Sequence, residues 1–177
     1  MIKITENSLP EGVFKKIQDK VFGENFTWSL AHDVVSKKPE WGATCEDIYN
    51  WQFIHNFYES PATLSEAISV MNPIMKLINP KLLIRIKGNL TPRADKVVEH
   101  GFHRDVEPPI PGATTSILYF NTNNGYTRFE DGTKVPSVAN TFVSFPSDMK
   151  QTGSTCTDIK FRGFINFNYI KVKNEKR

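Results

Sequence analysis

Phe161-Arg162-Gly163-Phe164-Ile165-Asn166-Phe167-Asn168-Tyr169, near the C-terminal end, alternates polar and apolar side chains. Successive side chains of a β-strand point to opposite faces, so this run predicts a strand. One face carries Arg162, Phe164, Asn166 and Asn168, and the other carries Phe161, Ile165, Phe167 and Tyr169. Two environments are compatible with the polar face. Either it is exposed to solvent, or it lines a barrel lumen in which Arg162 receives a ligand carboxylate through paired N–H bonds.

Other short strand-like runs precede this one in the second half of the chain. Asn124-Gly125 and Asp131-Gly132 are tight-turn dipeptides, and they bracket one of these runs. The predicted strands are 82–87, 115–120, 126–130, 141–145 and 160–170. Several short strands separated by turn signals are typical of an all-β sandwich or barrel.

The first half of the chain predicts mostly helices and loops. Apolar spacing indicates a helix from Leu9 to Phe22 that ends at Gly23, and 26–30 is a candidate strand. Residues 31–50 suggest a loop. A second helix is predicted from Pro61, capped by Ser60 or Thr63 and kinked or split by Pro73.

The predicted fold class is therefore mainly β with flanking helices, a double-stranded β-helix or cupin-like jelly roll. We expect one domain over 1–177, with a helical and loop flank at 1–80 that builds the substrate rim and a jelly-roll core at 82–170. The aromatic residues of the flank are candidates for that rim or for plain core packing; they are Trp28, Trp41, Trp51 and Tyr58.

Composition excludes several classes of protein. The chain has 177 residues, 39% hydrophobic content and a net charge of +3, which indicates a globular domain rather than a disordered one. Its two cysteines show neither disulfide-framework nor zinc spacing, and no apolar run suggests a signal peptide or membrane span. We expect a cytoplasmic protein with no membrane partner. Nucleic acid is not indicated, and the oligomeric state is not predicted.

His103-Arg104-Asp105 is the candidate for chemistry. In an extended segment His103 and Asp105 point to the same side, so an imidazole nitrogen and a carboxylate oxygen can meet one metal ion. With a third ligand from a distant strand they would form a facial triad with open positions. Alone, such a pair is more often two surface residues.

An ordered set of motifs resembles the small 2-oxoglutarate/Fe(II) oxygenases of T4-like cyanobacterial phages, which are similar to the prolyl 4-hydroxylase superfamily. The likeness runs from about Leu82 to Tyr169. The motifs are Asn89-Leu90-Thr91-Pro92, Glu99 to Asp105, Leu118 to Thr127, Phe145-Pro146-Ser147, Thr155 to Asp158, and Arg162 with Ile165 to Tyr169.

The resemblance implies an oxygenase that uses Fe(II) and 2-oxoglutarate, with ascorbate in support, and releases succinate and CO2. His103 and Asp105 match iron ligands, and Arg162 matches the residue that pairs with the distal carboxylate of 2-oxoglutarate. Tyr119 matches a tyrosine that supports the same carboxylate, although a core tyrosine fits equally. The substrate is a small molecule or a peptide. A phage origin would place the protein in the host cytoplasm.

Gln151 departs from the pattern, because it stands where these oxygenases have a third histidine ligand. An amide oxygen is a weaker donor to late divalent metals than an imidazole nitrogen. Three outcomes are open. Gln151 ligates through oxygen and sustains slow turnover, water replaces it, or the chain is a catalytically impaired or inactive binding module. His100, near the pair, is expected in a loop or behind the ligands.

Overall fold

The computed structural model describes residues 1–36 and 42–172, and these form two antiparallel β-sheets with helices on one side. The mainly β, jelly-roll fold class is confirmed. The strands are β1 (Lys3–Thr5), β2 (Ser29–Ala31), β3 (Gln52–Glu59), β4 (Thr63–Leu64), β5 (Pro80–Pro92), β6 (Ala113–Tyr119), β7 (Tyr126–Phe129), β8 (Lys134–Pro136), β9 (Phe142–Pro146), β10 (Gln151–Gly153) and β11 (Phe161–Lys171).

The larger sheet has the order β1-β9-β6-β11-β5-β3-β2, with β4 paired to β3, and the smaller has the order β10-β7-β8. β11, the strand predicted from its alternation, pairs with β5 on one side and β6 on the other. Its position explains why both of its faces are buried. One faces the helices and the other faces the smaller sheet.

Three of the four helices, all except Asp47–Tyr49, pack against the outer face of the larger sheet. The four are α1 (Glu11–Val21), two 3₁₀ helices (Asp47–Tyr49 and Glu66–Met71) and α2 (Asn72–Ile78). The predicted first helix is confirmed, and its apolar side buries Phe14, Ile17 and Val21. None of the helices in 1–36 and 42–172 combines the length and apolar character that crossing a bilayer requires.

The predicted start of the second helix at Pro61, with a cap at Ser60 or Thr63, is wrong. The segment starts with strand β4, and the cap of the following 3₁₀ helix is Ser65, whose hydroxyl accepts a hydrogen bond from the Ala67 N–H. Pro73 lies in the first turn of α2, so the helical segment is split just before it, one of the two effects predicted for this proline. Proline is well suited there, because first-turn N–H groups have no helical partner.

Two apolar clusters hold the layers together. The first packs Ile165, Phe167 and Tyr169 of β11 against α1, α2 and the longer 3₁₀ helix. The second lies between the sheets and includes Ile117 of β6 and Phe129 of β7. Burial of such side chains contributes about 1.5–3 kcal/mol each before chain entropy is counted. The second cluster fills only part of the space between the sheets, and a polar cavity adjoins it.

The first half of the chain contributes more to the main sheet than predicted, because β1, β2, β3 and β4 all join it. β3 was not predicted from the sequence. Trp28 and Tyr58, two of the rim candidates, pack against the outer apolar cluster. Trp51 is half-buried beside Phe53, and Trp41 lies outside the described residues.

Candidate functional site

The predicted metal ligands meet through the backbone. His103 and Gln151 form an antiparallel bridge in which each N–H donates to the other's carbonyl oxygen at 2.9 Å. Gln151 begins β10, which pairs with β7 in the smaller sheet. The pairing places residues 48 positions apart directly opposite each other, with their side chains on one side.

His103 and Asp105 present their lone pairs to a common point. His103 Nδ1 lies 3.0 Å from the Gly101 carbonyl oxygen, which only accepts, so Nδ1 carries the proton and Nε2 is left as an acceptor. Asn166 donates to Asp105 Oδ2 at 2.9 Å, and Asp105 Oδ1 lies 3.9 Å from His103 Nε2. Supports of this kind orient the ligands of metal sites.

The Gln151 side chain reaches the same point. Its amide nitrogen lies 3.1 Å from His103 Nε2 and 3.5 Å from Asp105 Oδ1. The two amide hydrogens therefore face the two acceptors that a metal ion would use. A half-turn of the amide would exchange nitrogen for oxygen and present an acceptor instead.

Fe(II) fits two of these three residues as they stand. His103 and Asp105 each offer an oriented lone pair, whereas Gln151 offers one only after its amide turns. Within 1–36 and 42–172 there is no group of three or more His, Cys, Asp and Glu side chains suited to a metal. A metal held here would therefore depend on Gln151 or water as its third ligand.

Arg162 is buried, and no carboxylate of residues 1–36 or 42–172 pairs with it. It is 1% exposed, and its Nε and Nη2 donate to Ser137 Oγ at 2.6 Å and Thr127 Oγ1 at 3.0 Å. Its third nitrogen, Nη1, makes no hydrogen bond to any described residue. Burial lowers the pKa of Arg162. An uncompensated buried charge is costly, so this guanidinium is suited to receive an anion.

The unpaired nitrogen of Arg162 belongs to a group of unsatisfied polar atoms around one cavity. Of the six buried side-chain atoms without a partner in the described chain, five are on residues that line it. They are Gln52 Oε1, Thr91 Oγ1, His100 Nε2, Arg162 Nη1 and Asn166 Oδ1. His103, Asp105 and Gln151 line the same cavity. Buried polar atoms normally have partners, so their concentration here indicates a ligand site.

Tyr119 lies behind this cavity. Its hydroxyl donates to Thr127 Oγ1 at 2.9 Å, and the Arg162 guanidinium carbon lies 5.5 Å from its ring centre. Burial raises the pKa of Tyr119, so the hydroxyl keeps its proton. Its effect on a bound carboxylate would pass through Thr127 and Arg162, and its predicted role stays a prediction.

The polar face of β5 also lines the cavity, and it was not predicted from the sequence. Arg85, Lys87, Asn89 and Thr91 alternate along this strand and line the cavity. The register sets them opposite Asn168, Asn166, Phe164 and Arg162 of β11. The signal was present in the sequence as four polar residues at every second position. It gains meaning only once β5 is known to pair with β11.

His100 lies deep in the cavity and is neutral. Its Nδ1 lies 3.0 Å from the Gly153 carbonyl oxygen, and burial, followed by the charge of Arg162, lowers its pKa from 6.5 to about 4. His103 also faces it and adds to this lowering. The interpretation of His100 as a residue behind the ligands stays a prediction.

We expect His100 to make folding pH-dependent. Between about pH 6.5 and pH 4 the unfolded chain binds a proton that the folded chain does not, so the free energy of unfolding decreases as the pH falls. The decrease from pH 7 to pH 5 should be about 2 kcal/mol for this residue. Urea unfolding at both pH values measures it. His100→Gln should show a smaller difference, and an equal difference would contradict this origin.

No family model and no curated protein sequence matches this chain, but solved structures do. A prolyl-4-hydroxylase of Pseudomonas putida aligns with 97% of this chain and 93% of its own, at 13% identity and a TM-score of 0.59. A 2OG-Fe(II) oxygenase family oxidoreductase from Burkholderia pseudomallei aligns over 99% and 88%, at 7% identity and a TM-score of 0.63.

A third similar structure is a prolyl hydroxylase from Trichoplax adhaerens, in complex with a peptide fragment of the oxygen degradation domain of hypoxia inducible factor. It aligns over 96% of this chain and 83% of its own, with 16% identity and a TM-score of 0.62. Identities this low establish fold and not activity. The chain therefore has the fold of 2-oxoglutarate/Fe(II) oxygenases, as the motif resemblance predicted.

Proposed function

We propose that this protein is a 2-oxoglutarate- and Fe(II)-dependent oxygenase. The observation that carries the proposal is the pairing of two features in one cavity. The buried guanidinium of Arg162 lacks an anionic partner among the described residues, and the lone pairs of His103 and Asp105 converge nearby. A scaffold with no ligand has no use for either feature.

The spacing of these two features along β11 suits a dicarboxylate. Arg162 and Asn166 are four residues apart on β11, about 13 Å along the strand, and Asn166 contacts Asp105. An arginine side chain and a five-carbon dicarboxylate together span such a distance. Arg162 Nη1 would donate to the far carboxylate, while the keto acid end lies beside His103 and Asp105.

The residues of the site have distinct roles. His103 and Asp105 would hold the metal, and Gln151 would be the third ligand once its amide presents oxygen. When bound, Fe(II) supplies oxygen activation for the oxidative decarboxylation of 2-oxoglutarate to succinate and CO2, coupled to hydroxylation of a substrate. Gly101 and Asn166 keep the two ligands oriented. The substrate is a small molecule or a peptide, and a peptide is what the Trichoplax adhaerens enzyme binds.

Succinate formation tests the proposal. Protein supplied with Fe(II), ascorbate and 2-oxoglutarate should release succinate, and His103→Ala should abolish the release. A calorimetric titration with 2-oxoglutarate accompanies the assay, because turnover without substrate is often slow. Absence of both succinate and 2-oxoglutarate binding would refute the proposed function.

The Gln151 amide favours a second candidate, a binding protein that keeps the 2-oxoglutarate site without the metal. Its amide hydrogens already face both acceptors, His103 Nε2 and Asp105 Oδ1, so these two atoms have a donor nearby without an ion. Binding of 2-oxoglutarate with no detectable binding of Co(II), used as a spectroscopic substitute for Fe(II), would establish this alternative.

A further inference from the structure

The end of the cavity opposite Arg162 carries two cations. Arg85 lies opposite Asn168 in the β5–β11 register, and Lys87 lies opposite Asn166. Arg162 lies opposite Thr91, six residues along β5 from Arg85, or about 20 Å. Asp105, one of the predicted metal ligands, contacts Asn166 opposite Lys87 and lies 3.9 Å from Arg85, so the predicted metal site is close to this end of the cavity.

Both cations have spare hydrogen-bonding capacity. The Lys87 ammonium makes no hydrogen bond or ion pair with any residue in 1–36 or 42–172, and its pKa is lowered by burial and then by Arg85. Arg85 Nε donates to Asn168 Oδ1 at 3.2 Å, and Arg85 Nη2 reaches Asp105 Oδ1 only at 3.9 Å. Two cations side by side repel each other unless an anion lies between them.

These residues also line an open groove of about 490 Å³ that adjoins the cavity. Two further charges of the groove, Arg104 and Glu107, pair with each other at 3.2 Å. Among the described residues that line the cavity and the groove, Arg85, Lys87 and Arg162 then face a single carboxylate, Asp105. A divalent metal and a doubly charged co-substrate would cancel each other, so the excess positive charge would persist in the loaded site.

We propose that Arg85 and Lys87 bind an anionic group, a carboxylate or a phosphate, on the molecule that is oxidised. This inference rests on the proposed function, since it assigns the substrate class of the same site. The groove has the volume of a small-metabolite site. A group bound at Arg85 and Lys87 would hold the rest of the substrate next to His103 and Asp105, on the side away from Arg162.

The test is binding of inorganic phosphate and, separately, acetate to the metal-free protein. It is run on the native chain saturated with 2-oxoglutarate and, independently, on Arg162→Met, which lacks the deep cation. In both backgrounds Arg85→Gln and Lys87→Gln should each weaken binding about tenfold, the usual loss for a charge-assisted hydrogen bond. Lys81→Gln, an equal charge change at an exposed position of β5, should leave binding unchanged.

Each outcome decides the proposal. Binding of phosphate or acetate that Arg85→Gln and Lys87→Gln both weaken supports the proposal. Whichever of the two anions binds more tightly identifies the kind of anionic group. Failure of both to bind at millimolar concentrations, or binding that is insensitive to Arg85→Gln and Lys87→Gln, overturns it. The protein could also bind the anion through Arg85 and Lys87 and yet have no affinity for 2-oxoglutarate. That result would support the anion site and refute the proposed function. Thermal melts confirm that each variant folds, and Lys87→Gln should melt no lower than the native protein.

Discussion

Arg162→Met should weaken 2-oxoglutarate binding by about 100-fold or more, because removing one member of a buried charge pair costs about 3–5 kcal/mol. The reason lies in the structure of the free protein. Arg162 is 1% exposed and its Nη1 has no hydrogen-bond partner among the described residues, so the guanidinium is poised for an anion. Calorimetric titration measures the loss.

The same substitution should not lower the melting temperature of the free protein. Methionine fills a similar volume and removes an unpaired buried charge, although Ser137 and Thr127 each lose a donor. A residue that only supports the fold would show the opposite pattern, with reduced stability. Arg93→Met, on an exposed arginine just after β5, is the matched control and should leave 2-oxoglutarate affinity unchanged. Unchanged affinity in Arg162→Met would exclude the anchoring role.

Gln151→His should strengthen binding of Co(II) or Fe(II) by about 100-fold, because an imidazole nitrogen replaces an amide as the third ligand. In the native chain the Gln151 amide hydrogens lie against His103 Nε2 and Asp105 Oδ1. A metal must therefore turn the amide and break these contacts before it binds. The visible absorption of Co(II) measures affinity directly, without depending on turnover.

Two comparisons make that experiment decisive. Adding His103→Ala to Gln151→His should abolish the increase in Co(II) affinity, since His103 is a ligand in both the native and the Gln151→His site. Succinate release should rise with metal affinity if the rest of the site is intact. Equal Co(II) affinity in native protein and Gln151→His would contradict the expectation and show that the amide already serves as a full ligand.

Prediction from the sequence worked where the deciding pattern is local. The alternation of 161–169 was assigned correctly to a strand with one apolar and one polar face, and the structure buries the apolar face against helices. It failed where tertiary contacts override local preference. The helix expected to start at Pro61 starts only at Glu66, because Thr63–Leu64 pairs with β3 as strand β4.

The strand pattern of the second half and the His103-Arg104-Asp105 motif could be recognised in the amino-acid sequence, because side-chain direction in a strand follows from the backbone of that strand alone. Only the tertiary structure decided that Gln151 lies between the two ligands and that Arg85 and Lys87 face the same cavity as Arg162. Those contacts join residues 46 to 83 positions apart. They depend on which strands pair and in what register, and no local pattern specifies that pairing.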